Sequence, residues 1–215
     1  MAGFCWAALS LGWGLLAQNV RLAPASTPEG YVARLLINEV PFPGDPLYRS
    51  EEDCRRGMEE IVWVLNNRLR HIPPGYSQQE VANTRAANLI EVITAPGQVE
   101  GFHRDGQGRF VAVPRVHRRV DYLVRIANDG QPGRIAALLN HAAQLAAAAL
   151  AGGPDSPDLF LELRRVGSTG VTGRAYAWMT ANLPDHPGGH FVAVPREREG
   201  RIAGNQFYTL TERRP

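Results

Sequence analysis

A short amphipathic helix that ends in an acid constrains this chain more than any other feature. Val32, Leu35, Leu36 and Glu39 fall at i, i+3, i+4 and i+7, the spacing that sets four side chains on one helical face. The first three are aliphatic, so the face is built for burial and the carboxylate of Glu39 is carried onto it. Pro41 and Pro43 follow at once, which places Glu39 on a last turn opening into a rigid loop. A carboxylate on a buried face must be paired, hydrogen-bonded or held protonated. Two readings of Glu39 follow: a helix-end carboxylate paired with an Arg, or a general acid with a raised pKa.

The rest of the pattern is mostly helical. Ser26 and Glu29 have capping-box spacing and Pro28 suits a first turn, so the helix is expected to start there. Residues 18–27 before it read as a linker, and residues 41–53 after it as a loop. A long helix is expected over 51–71, with Met58, Ile61, Val62, Leu65 and Leu69 inward and Pro73-Pro74-Gly75 as its stop. Further helices are expected over 81–92, 121–128, 134–151 and 175–181, while 159–163 suits helix or strand. Strands are expected over 110–113, 191–194 and 206–210, the last two forming a hairpin in which Phe207 points inward. The hexapeptide FVAVPR occurs at 110–115 and again at 191–196, each copy read as an edge strand closed by its proline. These elements give an α+β chain, mostly helical with a small β-hairpin or sheet element, in one domain over residues 28–215.

Composition excludes several function classes. All 23 basic residues are Arg and the net charge is only +2. Arg115, Arg118 and Arg119 cluster, and Arg196 to Arg201 alternate with Glu, but neither segment interleaves aromatics, so no nucleic-acid partner is expected. Residues 1–17 form an uncharged apolar run holding Phe4, Trp6, Leu9, Leu11, Trp13, Leu15 and Leu16. The run is short for a membrane span and suits the core of a secretory signal, with cleavage after Ala17. Export to the periplasm, envelope or exterior is therefore expected; an uncleaved anchor or a buried first helix are the competing readings. Cys5 lies inside that run, which leaves Cys54 as a lone thiol that forms neither a disulfide nor a zinc site. His186 and His190 stand four apart beside Asp185, on a Pro-Gly loop rather than a helix. No zinc-peptidase, serine-hydrolase, nucleotide or dinucleotide fingerprint occurs, so no metal and no cofactor is expected.

An ordered set of motifs follows Glu39: Val64-Leu65-Asn66-Asn67-Arg68, then Val92-Ile93-Thr94-Ala95-Pro96-Gly97-Gln98, then Gly189-His190-Phe191 and Gly204-Asn205-Gln206-Phe207-Tyr208. In order and spacing this set resembles the spore cortex-lytic (SleB-type) cell wall hydrolases, over about residues 31–208. The resemblance implies a lysozyme-like arrangement acting on peptidoglycan glycan strands, as a glycosidase of the lytic transglycosylase kind. It implies Glu39 as the catalytic acid, then base, in cleavage of the N-acetylmuramic acid–N-acetylglucosamine bond. Gln98, Asn67, Tyr208 and His190 are the expected substrate-binding residues. For Asn67 a helix-surface amide, beside an Arg68 that makes a structural ion pair, is an equal alternative, and for His190 a solvated loop histidine. Asp45, Glu51, Glu52 and Asp53 are available as a second carboxylate for hydrolysis. The chain departs from the family at Val40-Pro41-Phe42-Pro43, at Val99 where Phe is expected, and at Gln206 where His is frequent. A non-catalytic, peptidoglycan-binding or structural envelope protein on the same fold is the alternative function.

Overall fold

A computed structural model describes residues 19–129, 133–181 and 187–213. Residues 1–17, on which the export expectation rests, lie outside the described residues, as do Asp185 and His186. Helix α1 (Pro28–Glu39) is the centre of the molecule. Tyr31, Val32, Leu35, Leu36 and Ile37 are all buried, so the helix is covered on nearly every side. Its N-cap is Thr27, whose hydroxyl accepts from the Gly30 amide at 3.2 Å. The expected Ser26–Glu29 box is not formed; the cap lies one residue later and is one-sided, because Thr27 is the hydroxyl directly before Pro28 and its N3 residue is Gly30.

Helix α2 (Glu51–Arg70) is capped by Ser50, which accepts from Asp53 N at 3.0 Å, and opens with Glu51, Glu52 and Asp53 at its positive end. It runs beside α1 and against the alanine-rich α6 (Arg134–Ala151), where Ala142, Ala146 and Ala149 let the helices approach closely. Helix α5 (Pro114–Asp129) closes the other side of α1 with Val116, Val120 and Leu123. The segment expected as a linker is bound to this body: Val20 is buried, and its amide donates to Asn128 Oδ1 at 2.8 Å.

Three helical expectations are corrected. The segment 81–92 is two short helices, α3 (Gln78–Ala82) and α4 (Leu89–Thr94). Asn83 turns left-handed at φ +47° and Asn88 caps the second helix, so side-chain amides override the apolar periodicity between them. Helix α5 starts at Pro114, seven residues before the expected start at Asp121, because Pro114 suits a first turn. Residues 177–180 of the expected helix 175–181 are instead strand β5 (Ala177–Thr180).

Strands β1 (Phe102–Arg104) and β2 (Phe110–Ala112) form a hairpin, joined to α1 by the Tyr31 hydroxyl donating to Val111 O at 3.1 Å. Strands β3 (Arg165–Val166) and β4 (Thr169–Gly170) make a second small hairpin. Residues 159–162 are turns, with Phe160 buried. The main sheet is built on β8 (Asn205–Leu210), which lies between β5 and β6 (Phe191–Ala193), all antiparallel. The expected pairing of 191–194 with 206–210 is present, Phe191 opposite Leu210 and Ala193 opposite Tyr208. Strand β7 (Arg201–Ile202) also pairs with β8 across Ala203 and Gly204, both left-handed at φ +49° and +72° as a two-residue hairpin turn demands. This turn touches α2 at Gly57, where a Cβ would lie 2.4 Å from that of Ala203.

The two FVAVPR copies behave alike and then diverge. In each, Phe-Val-Ala is strand and a helical turn follows the proline. After Pro114, apolar residues at helical spacing extend the turn into α5. After Pro195 the turn stops at Glu199, at φ +61°, followed by Gly200. Helix is 43% and strand 14%, an α+β fold of mostly helical composition. Among the described residues no helix is long and apolar enough to cross a membrane.

Candidate active site

Glu39 ends α1 with its carboxylate held from two sides. Trp178 Nε1, on β5, donates to Oε2 at 2.9 Å, and Asn38 Nδ2 donates to Oε1 at 3.1 Å. The Glu39 backbone carbonyl accepts from Asn205 Nδ2 at 2.8 Å, so β8 fixes the turn that carries the acid. Among the described residues no Arg lies within ion-pair distance of Glu39. The Arg-paired reading is therefore not the one the structure realises. Burial raises the pKa of the carboxyl, and outweighs the lowering by the Trp178 and Asn38 hydrogen bonds; Glu100 adds to the rise and Arg115 opposes it.

Two cavities, of about 470 and 240 Å³, have Glu39 in their walls. Glu39 and Thr180 border both. The larger is walled by α3, the 96–100 turn, β5 and Phe191; the smaller by the 40–47 loop, Arg119 and the 203–205 turn. The loop after Glu39 is tied down by Arg119 Nη2, which donates to Val40 O at 3.0 Å and Asp45 Oδ2 at 2.9 Å. Cys54 is fully buried and its thiol reaches Pro41 O at 3.1 Å. Desolvation pushes that thiol up to about 12, so it stays protonated and inert.

Of the expected binding residues, only Gln98 joins Glu39. It borders the larger cavity, and its Oε1 is buried with no hydrogen-bond partner. Asn67 is fully buried elsewhere: its Nδ2 donates to Asp158 Oδ2 and Ala175 O, both at 3.1 Å, and its Oδ1 accepts from Arg174 at 3.3 Å. It is a core amide. Tyr208 borders neither cavity and is buried on β8, between Ala177 and Ala193. Phe207, expected inward, is fully buried; both faces of β8 are covered, so alternation leaves Tyr208 no opening either. His190 is exposed, packs edge-on against Tyr76 at 5.8 Å and borders neither cavity.

The expected second carboxylates are also placed. Asp45 borders the smaller cavity but accepts from Phe42 N at 2.7 Å and from Arg119. Glu51 pairs with Arg55 at 2.7 Å, Asp53 accepts from Ala203 N at 3.1 Å, and Glu52 faces a separate cleft. Glu80 and Glu100, not singled out in the sequence, line the larger cavity instead. Glu80 pairs with Arg213 at 2.7 Å, which with the Ser77 bonds holds its carboxyl down at about 2; Glu100 pairs with Arg115 at 2.5 Å.

Three residues of the site escaped the sequence. Trp178 was hidden in an apparent helix. Asn205 carries no signal beyond its motif. Arg68, one place beyond Asn67, borders the larger cavity with its guanidinium carbon 5.3 Å from the Trp178 ring centroid. Among the described residues, no group of three or more His, Cys, Asp or Glu side chains is placed to hold a metal ion. Comparison of the chain with protein-family models, curated proteins and solved structures returned no match.

Proposed function

We propose that this protein cleaves peptidoglycan as a lytic transglycosylase, with Glu39 as its single acid and base. The observation that carries the reading is the raised-pKa carboxyl of Glu39, a residue that borders two cavities and has no Arg within ion-pair distance among the described residues. A glycan strand laid across both cavities would pass its scissile oxygen over this carboxyl. The protonated acid then donates to the leaving oxygen as positive charge develops on the sugar ring. The resulting carboxylate takes the proton of the sugar's own C6 hydroxyl, whose oxygen attacks the anomeric carbon. One bond breaks, one forms, and Glu39 recovers its proton; the product is a 1,6-anhydro-muramyl end.

The other carboxylates bordering these cavities, Asp45, Glu80 and Glu100, are each paired with an Arg, which favours the single-acid route over hydrolysis through a second carboxylate. The lysozyme-like arrangement and export belong to the same proposal and rest on the ordered motifs and the apolar residues 1–17. Gln98, with its unpartnered Oε1, suits an N–H or O–H group of the sugar.

Digestion of purified sacculi tests the proposal. Glu39→Gln should remain folded and lose about a thousandfold or more in muropeptide release, and the wild-type products should carry anhydro ends. Sacculi retained by the protein without any change in muropeptide profile would replace catalysis with a binding or structural role.

A further inference from the structure

We infer that Arg68 is the receptor for a carboxylate carried by the ligand of the larger cavity. This deepens the proposed function and rests on it for the identity of the ligand. Four charged side chains border that cavity: Glu39, Arg68, Glu80 and Glu100. Glu80 and Glu100 are each neutralised by an Arg, and Glu39 carries a raised pKa that favours its neutral form. Arg68 alone holds a permanent charge with no opposite charge in ion-pair distance among the described residues.

The side chain is only 6% exposed, a position where an unpaired cation is costly. Its Nε donates to Tyr176 O at 2.6 Å and its guanidinium carbon lies over the Trp178 ring, 5.3 Å from the centroid, so the fork is held from two sides. Nη1 has no acceptor at all. A guanidinium that borders a cavity and keeps one buried donor unused suits carboxylate recognition, and an ammonium would not supply the planar fork. The same indole that faces the Arg68 cation donates to Glu39, so a carboxylate bound here would set the position of a sugar relative to the acid.

In peptidoglycan such a carboxylate has two sources, the lactyl group of a denuded muramic acid or the stem peptide. Three probes separate them: N-acetylmuramic acid, its methyl ester, and N-acetylmuramyl-L-alanyl-D-isoglutamine. Binding is followed by NMR of the Arg68 side-chain Nε–H and the Trp178 indole N–H. At least one acid should bind the wild type about tenfold or more tightly than the ester, and Arg68→Gln should remove the difference. Arg68→Lys, which keeps the charge without the fork, should retain part of it. Preference for the lactyl acid assigns denuded strands, and preference for the dipeptide assigns the stem. Equal binding of acids and ester by the wild type overturns the inference, as does a difference that survives in Arg68→Gln. The wild-type comparison needs no variant to fold. Sacculus digestion with Glu39→Gln judges the glycosidase reading separately.

Discussion

Trp178 Nε1 donates to Glu39 Oε2 at 2.9 Å, and this contact joins the end of α1 to the second strand residue of β5. The indole is 8% exposed, so it shields one side of the acid while stabilising its charged form. These two effects oppose each other. Burial wins, and the carboxyl titrates above its ordinary range.

Trp178→Phe separates them. Removing the donor withdraws a contribution that lowers the pKa, so the acid of the variant should titrate still higher. In the proposed mechanism the protonated acid is the active form, so activity is lost as pH rises through that pKa. The basic limb of the pH–rate profile should therefore move to higher pH, while the maximal rate falls because the carboxyl is less firmly oriented. An unmoved basic limb in the variant would show that the indole does not tune Glu39.

Asn67→Ala should damage stability rather than activity. The amide is fully buried and bonds to Asp158, Ala175 and Arg174, so truncation leaves buried partners unsatisfied. A loss of about 2–4 kcal/mol in denaturant unfolding is expected, with muropeptide release per folded molecule nearly unchanged. A stable variant with abolished activity would return Asn67 to the binding site.

Legibility followed the strength of the local signal. The stripe ending at Glu39 was readable because 3.6-residue periodicity and two prolines act on one short segment. Trp178 was not, because the short run Ala175-Tyr176-Ala177-Trp178-Met179 suits helix and strand equally, and the long-range pairing with β8 decides it. Asn67 and Arg68 are one residue apart on a helix, so they point about 100° apart and cannot both face the cleft. The motif drew attention to the pair; the turn of the helix gave the cavity to Arg68 and the core to Asn67. Gln98 was singled out by the resemblance alone, and the turn after the short helix α4 carries it to the larger cavity.

Asn205→Ala should act through position. Its amide holds the Glu39 carbonyl at 2.8 Å and the Ala203 carbonyl at 3.3 Å, so it fixes the acid's turn without touching the carboxyl. The turnover rate should fall about tenfold while KM and the pH optimum stay near wild type. A shifted pH optimum would instead implicate Asn205 in the charge of Glu39, which distinguishes it from Trp178.

Glu60 gives the fold a pH dependence independent of the site. It is 2% exposed on α2, and burial, with Asp158 nearby, pushes its carboxyl from 4.5 up to about 8. Oε1 accepts from Leu159 N at 3.3 Å, while Oε2 has no partner. Between those two pH values the folded chain keeps a proton that the unfolded chain releases. Stability therefore falls as pH rises, by about 1.4 kcal/mol per unit from this group and on the order of 5 kcal/mol in all, levelling above pH 8. Glu60→Gln is neutral at every pH and should cancel this contribution. Near pH 5 the variant should match the wild type in urea unfolding; at pH 9 it should be the more stable by a few kcal/mol. Parallel stability profiles for the two proteins from pH 5 to 9 would mean that Glu60 ionises in the fold as readily as in water.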